Sequence, residues 1–213
     1  MNSHYLIRGW GVAGRPRTIR EEDIMAAVAA AVGSTGPVRL TLADVAGAAG
    51  VSTGALVQRY GSKRGLLLGF VRWGLTEEAF VGPMRAAFAT APDPVEGLIR
   101  AVVRSAGHET GPEEFANNLA FLHLELADDE FRALLGDHIR GVRAELRGYL
   151  EAAVASGHLA GAADPGALAA AADSIRNGTQ LTWAMTRSGS LAEALRRDLR
   201  TLLDPYRTGK EDR

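Results

Sequence analysis

The chain has 213 residues, with 24 basic against 25 acidic side chains and 46% hydrophobic residues. This is the make-up of a folded protein with room for a sizeable core, in one domain or two small ones. It contains no cysteine, which excludes disulfides, thiol nucleophiles, cysteine-ligated zinc, iron–sulfur clusters and thiol-based sensing. No apolar run approaches the roughly 18 residues that cross a bilayer, and "MNSHYLIRGWG" lacks a secretory pattern, so the reading is a cytoplasmic protein with no membrane partner.

The near-neutral total hides an uneven distribution. Residues 1–72 carry nine basic against four acidic side chains, a net of +5, which leaves −6 for the remainder. A basic N-terminal third joined to an acidic remainder suggests a polyanion-binding module followed by a part that does not bind polyanions.

In chain order, residues 1–17 read as a flexible basic arm, in which Arg15 and Arg17 flank a proline in "AGRPRT". Such an arm can enter a narrow minor groove, and the alternative is a solvated charged tail. Ile24, Val28, Ala31 and Val32 then form one apolar stripe in a helix of about Arg20 to Ser34, ended by "GSTGPV". Thr41 caps a second helix, with Asp44 in the capping-box position and Leu42, Val45, Ala46 and Ala49 on its buried face. Gly50 closes it, and Ser52 caps a third helix in which Leu56 and Tyr60 share the core side. Thr53, Val57, Gln58 and Arg59 project elsewhere. Gly61 ends that helix and Ser62 caps a fourth. Two short helices joined by a glycine turn, with polar and basic residues on the outer face of the second, have the layout of a helix-turn-helix.

"TLADVAGAAGVSTGALVQRYGSKRGLL", preceded by "REEDIMAAVAAAV", resembles the N-terminal DNA-binding domain of the TetR family of bacterial transcriptional regulators, over roughly residues 18–68. The resemblance implies an all-α fold: a three-helix DNA-binding domain over 18–66 and a helical effector-binding and dimerisation domain over 67–213. It places the third helix in the DNA major groove. Ser52 and Thr41 sit at helix N-termini that favour a phosphate oxygen, and Gly54 permits close backbone approach. Thr53 and Gln58 can carry base-edge hydrogen bonds, and Arg59 can reach a guanine or a phosphate. Lys63 matches the family's phosphate-contacting lysine. Val57 stands where the family usually has a tyrosine, and Arg59 where a histidine is common; Val57 can touch a thymine methyl instead.

After about residue 66 the chain reads as a second helical domain. Leu66, Phe70, Trp73 and Phe80 are expected on one long helix, followed by helices at Pro94 to Ser105, from "TGPEEF" to about Ala127, and from "DDEF" to about Ser156. After the break at "GHLAGAADPG" come Ala167 to Thr186 and Leu191 to Tyr206. Leu191, Leu195, Leu199, Leu202 and Tyr206 form a stripe on the last helix, and the helix before it sets small residues beside Ile175, Leu181 and Met185. These stripes suit a two-fold helical interface, with completion of the monomer core as the alternative. The resemblance makes these two helices the dimerisation pair.

No catalytic set and no metal or cofactor site emerges, since the histidines are spread over different segments and no strand exists to hold a strained nucleophile. Phe70, Trp73, Phe88, Phe115, Phe121 and Trp183 are candidates to line a ligand cavity, with Asn117, Asn118, His123 or Asn177 as orienting groups. The reading that results is a homodimeric, ligand-responsive regulator, a repressor that binds a palindromic duplex operator and is released by a small-molecule effector. The alternative is a helical small-molecule-binding or enzymatic protein carrying a vestigial DNA-binding module.

Overall fold

The computed structural model describes residues 20–107, 111, 117, 119, 121 and 126–208. Among these residues the regular elements are all helical, and the extended backbone makes one isolated bridge, between Leu159 and Arg207. Helix α1 (Glu21–Arg39) buries Ile24, Met25, Val28 and Val32 along the expected stripe. Its regular winding stops at Gly36, whose φ of 76° suits glycine, and Pro37 follows, so the last residues form a separate turn.

Helices α2 (Leu42–Ala49) and α3 (Thr53–Tyr60) have eight residues each. Helices this short are not stable alone and depend on a packed face. Val45 and Ala46 of α2, Leu56 of α3, and Leu66 and Leu67 of α4 (Lys63–Gly74) supply that face against α1. Phe121 and Phe131, from beyond residue 100, close the same apolar cluster. The N-terminal helical head therefore shares its core with the C-terminal part, and α4 runs unbroken through residues 66 and 67.

One expected helix is divided. Helix α4 ends at Gly74, and Phe80 lies in a separate wide turn, Glu77–Val81, that Thr76 caps by accepting from the Ala79 amide at 3.4 Å. Gly74 is a poor helix former, and the Thr76 hydroxyl starts a new winding.

The C-terminal part consists of α5 (Gly82–Ala89), α6 (Pro94–Ser105), α7 (Asp129–Ala155), α8 (Pro165–Thr186) and α9 (Leu191–Leu203). Asp93, Asp128, Asp164 and Ser190 cap the last four. Leu98, Val102, Leu146, Leu150, Leu168 and Leu199 meet in one core between them. At Gly97 a Cβ would come within 2.7 Å of the Phe88 ring, so glycine lets that ring lie flat on Tyr149, 4.0 Å between centroids. Helix α9 stops at Leu203, short of the expected Tyr206, because Pro205 has no amide to continue it. The chain then pins the loop after α7, with the Ala160 amide donating to the Tyr206 carbonyl at 2.7 Å and the Thr208 amide to that of His158 at 3.2 Å. No described helix is long and apolar enough to cross a membrane.

Candidate functional site

The α2–α3 unit is built by its caps. Thr41 accepts from the Asp44 amide at 3.2 Å while the Asp44 carboxylate accepts from the Thr41 amide at 3.0 Å, closing the capping box. The Thr41 hydroxyl also donates to Asp44 at 2.6 Å, and these bonds hold the Asp44 carboxyl below its ordinary range. Gly50 turns the chain at φ 68°, ψ 33°, and Ser52 accepts from the Ala55 amide at 3.1 Å to start α3. Leu56 is then sealed in the core while Thr53, Gly54, Val57, Gln58 and Arg59 share the outer surface of α3. At Gly54 a Cβ would meet only the Ser52 hydroxyl, at 3.8 Å, so the fold itself does not require glycine there.

The basic groups have partners within the chain. Arg59 turns toward α1, pairing with Glu21 at 3.0 Å and lying 5.6 Å from the Tyr60 ring centre. Lys63 donates to the Val38 carbonyl at 2.6 Å, across the loop between α1 and α2. Arg64 and Arg72 point away from the outer surface of α3, toward Asp128 and Glu130 at the start of α7. Arg15 and Arg17 lie outside the described residues.

The candidate ligand residues do not converge on one cavity. Phe70 pairs with Phe121, 6.0 Å between ring centres, against the core of the head. Trp73 is exposed beside Tyr60 in a shallow groove. Phe88 is stacked on Tyr149, and Trp183 donates its indole N–H to the Gly189 carbonyl at 3.0 Å, at the far end of α8. Phe115, Asn118 and His123 lie outside the described residues, and Asn117 donates to the Gly33 carbonyl at 2.7 Å. Phe70, Phe88 and Phe121 are taken up by different parts of the core, which their spacing could not reveal.

Among the described candidates Asn177 alone lines a cavity of about 770 Å³ between the start of α7 and the middle of α8. Its walls are mainly apolar, from Leu75, Phe80, Leu135, Ile139 and Leu181. His138 stands edge-on to Phe80 at 4.5 Å, and burial, followed by the nearby Arg176, pushes its pKa down. Arg176 lies 5.9 Å from the same ring and pairs with the buried Asp173 at 3.0 Å. Phe80, His138 and Arg176 come from three segments, and no spacing in the sequence links them. Among the described residues no group of acidic and histidine side chains could hold a metal ion.

The two expected interface stripes separate. Leu195 and Leu199 have no exposed surface within a single chain, so they complete the core of the monomer and offer nothing to a partner. Leu191 and Leu202 are half-buried, and Ile175 packs against that core. On α8, by contrast, Leu181 and Met185 are exposed, in line with Ser174 and Gly178. Leu195 and Leu199 are covered because α9 turns its apolar side inward onto α6 and α8, leaving Glu193, Arg197, Arg200 and Thr201 outside.

Residues 24–69 match the family of bacterial regulatory proteins described as the tetR family. Over 130 residues the chain is 32% identical to the HTH-type transcriptional regulator BetI of Rhizobium meliloti (strain 1021). That match covers 60% of this chain and 63% of the relative, so the chain spans less than two thirds of that protein's length. Among solved structures, a TetR transcription regulator from Haloarcula marismortui has a TM-score of 0.72 at 21% identity, covering 88% of this chain and 97% of that one. A transcriptional regulator from Saccharomonospora viridis, in complex with choline, has a TM-score of 0.72 at 17% identity over 86% of this chain and 94% of its own. The regulator FadR from Bacillus subtilis, in complex with stearoyl-CoA, has a TM-score of 0.67 at 19% identity over 86% and 98%. At these identities the structural likeness speaks for the fold.

Proposed function

We propose that this chain, whose residues 24–69 match the tetR family of bacterial regulatory proteins, is a homodimeric repressor that reads a palindromic operator with α3 and lets go when a small molecule fills the cavity between α7 and α8. The observation that carries this reading is the outer surface of α3, where Thr53, Gly54, Val57 and Gln58 are all exposed on a helix whose other side is locked into the core. Gln58 has the amide geometry that pairs with adenine, and the absence of a side chain at Gly54 lets backbone approach a phosphate. Arg15 and Arg17, of the basic arm, Thr41 and Ser52 at the helix starts, and Arg59 and Lys63 on rearranging, supply phosphate contacts.

The exposed line of Ser174, Gly178, Leu181 and Met185 on α8, spaced for one side of a helix, supports two-fold pairing. Small residues there let two copies approach closely. The effector is a mainly apolar molecule, oriented by His138, Asn177 or Arg176. The described cavity lining holds Arg132, Arg176 and His138 and no carboxylate, so a cation like the choline of the Saccharomonospora viridis relative finds no counter-charge in it. An occupant that shifts α7 acts on α4 through Asp128 and Arg64, and so on the spacing of the two α3 helices.

The test is binding to a duplex from the protein's own upstream DNA. The expected result is one dimer per inverted repeat, with log affinity falling steeply against log salt. Equal affinity for that duplex and a random one at moderate salt overturns the reading.

A further inference from the structure

Helices α6 and α9 pack in opposite directions, and charge along their seam is matched at one end only. Near the start of α6, Glu96 accepts Arg100 from its own helix at 3.4 Å and Arg200 from α9 at 3.5 Å. Arg197, on the outer side of α9, is held by Asp198 at 3.0 Å. One turn along the seam, Arg104 follows Arg100 on α6 and Arg196 precedes Arg200 on α9. Neither has an acidic partner among the described residues, and both are partly shielded from water.

These two arginines line the same cavity, of about 520 Å³, which Arg100 also borders. Its remaining walls are largely apolar, from Ala87, Val103, Ala106, Trp183, Leu191 and Leu195, and no described carboxylate lines it. It shares no lining residue with the cavity between α7 and α8. A guanidinium does not lose its proton, so two of them around a half-dry space repel until an anion enters. Their planar forks match the oxygens of a carboxylate or a phosphate, while the apolar walls gain by covering carbon.

We propose that this cavity is a second ligand site, for an organic oxyanion: a carboxylate or phosphate monoester borne on an apolar body, its head between Arg104 and Arg196 and its tail against Trp183 and Leu191. Neither charge alone nor apolar surface alone accounts for the lining. A purely apolar ligand leaves two guanidiniums uncompensated, and a small inorganic anion leaves the walls wet. The site does not depend on the DNA-binding reading, since it is defined by α5, α6, α8 and α9.

Trp183 gives the readout. The chain has three tryptophans, so the full-length protein carrying Trp10→Phe and Trp73→Phe reports from the cavity alone. Decanoate, decyl phosphate, decanol and inorganic phosphate are titrated against its emission. Decanoate or decyl phosphate is expected to shift the emission saturably at one molecule per chain, and the tighter of the two identifies the head group. Decanol and inorganic phosphate should each bind at least about tenfold more weakly. Arg104→Gln with Arg196→Gln should weaken the alkyl anion by about tenfold or more at unchanged helicity, whereas the double lysine variant, which keeps charge but loses the fork, should fall between. Ile139→Phe, which narrows the other cavity, should leave the titration unchanged. No response to either alkyl anion, equal affinity for decanol, unchanged binding by the double glutamine variant, or loss of the response in Ile139→Phe would each overturn the proposal.

Discussion

The guanidinium of Arg64, at the start of α4, grips the carboxylate of Asp128 through two parallel bonds, Nε to Oδ2 at 2.7 Å and Nη2 to Oδ1 at 2.8 Å. Asp128 is also the residue that starts α7, accepting from the amides of Glu130 at 3.0 Å and Phe131 at 3.4 Å. One carboxylate thus ties the base of the helix-turn-helix head to the beginning of the longest described helix of the C-terminal part. Glu130 widens the tie, accepting Arg64 at 3.0 Å and Arg72 at 2.7 Å. Bonding to Arg64 holds the Asp128 carboxyl down to about 2, so the tie is fully charged near neutral pH.

Asp128→Asn separates the two duties of that carboxylate, because asparagine caps a helix as well as aspartate does but carries no charge. The expected outcome is an intact α7 with a loosened head: amide exchange should quicken across residues 64–68 and stay unchanged in α8. Asp128→Ala should quicken exchange at the start of α7 as well. Because the folded pKa is depressed, the stabilisation from the pair is complete above the ordinary value of 3.8 and is lost as pH falls toward about 2; Asp128→Asn should remove that part of the acid sensitivity.

Leu199→Ala and Met185→Arg should fail in opposite ways. Leu199 is fully enclosed within one chain, so truncating it opens a cavity and should cost about 2–5 kcal/mol of stability while association persists. Met185 is 74% exposed on a single chain, so an arginine there is tolerated by the monomer and placed twice in a two-fold contact. Met185→Arg should sediment as a folded monomer. Urea unfolding and sedimentation of both variants distinguish the outcomes, and a dimeric Met185→Arg removes α8 from the interface.

Gln58→Ala should cost about 1–3 kcal/mol at one symmetric pair of bases and relax the preference there, as read by binding-site selection. Lys63→Ala should weaken every sequence alike. Glu21→Gln removes the acid that holds Arg59 at 3.0 Å, so it should raise affinity for duplex and steepen the salt slope by about one per protomer. An unchanged slope means Arg59 makes no phosphate contact.

His138 is expected to make the fold sensitive to mild acid. Burial against Phe80 and the neighbouring Arg176 lower its folded pKa below the ordinary 6.5, with buried Asp173 opposing. The neutral ring is therefore favoured by folding, and its contribution is present above pH 6.5 and lost as pH falls below it. Urea midpoints should drop between pH 7.5 and 5.5, and His138→Gln should flatten that drop. A variant as pH-sensitive as the parent assigns the effect elsewhere.

The sequence by itself determined what depends on neighbours three or four residues apart. The box between Thr41 and Asp44, the left-handed turn at Gly50 and the caps at Ser52 and Ser62 are local bonds, and so the helix-turn-helix was legible before any packing was known. The same holds for Leu56 turned inward with Gln58 outward, since a helix period assigns its sides. Period does not say what covers a side. The stripe of Leu195 and Leu199 fits a partner chain and its own core equally well, and only the arrival of α6 and α8 over it decided for the core. Charge behaves likewise: Arg59, Arg64 and Arg72 read alike along the sequence, yet Glu21, Asp128 and Glu130 claim them across gaps of 38, 64 and 58 residues. The cavity of Phe80, His138 and Arg176 is likewise tertiary, because these residues come from segments remote in sequence, and no one wall has meaning until the others are in place.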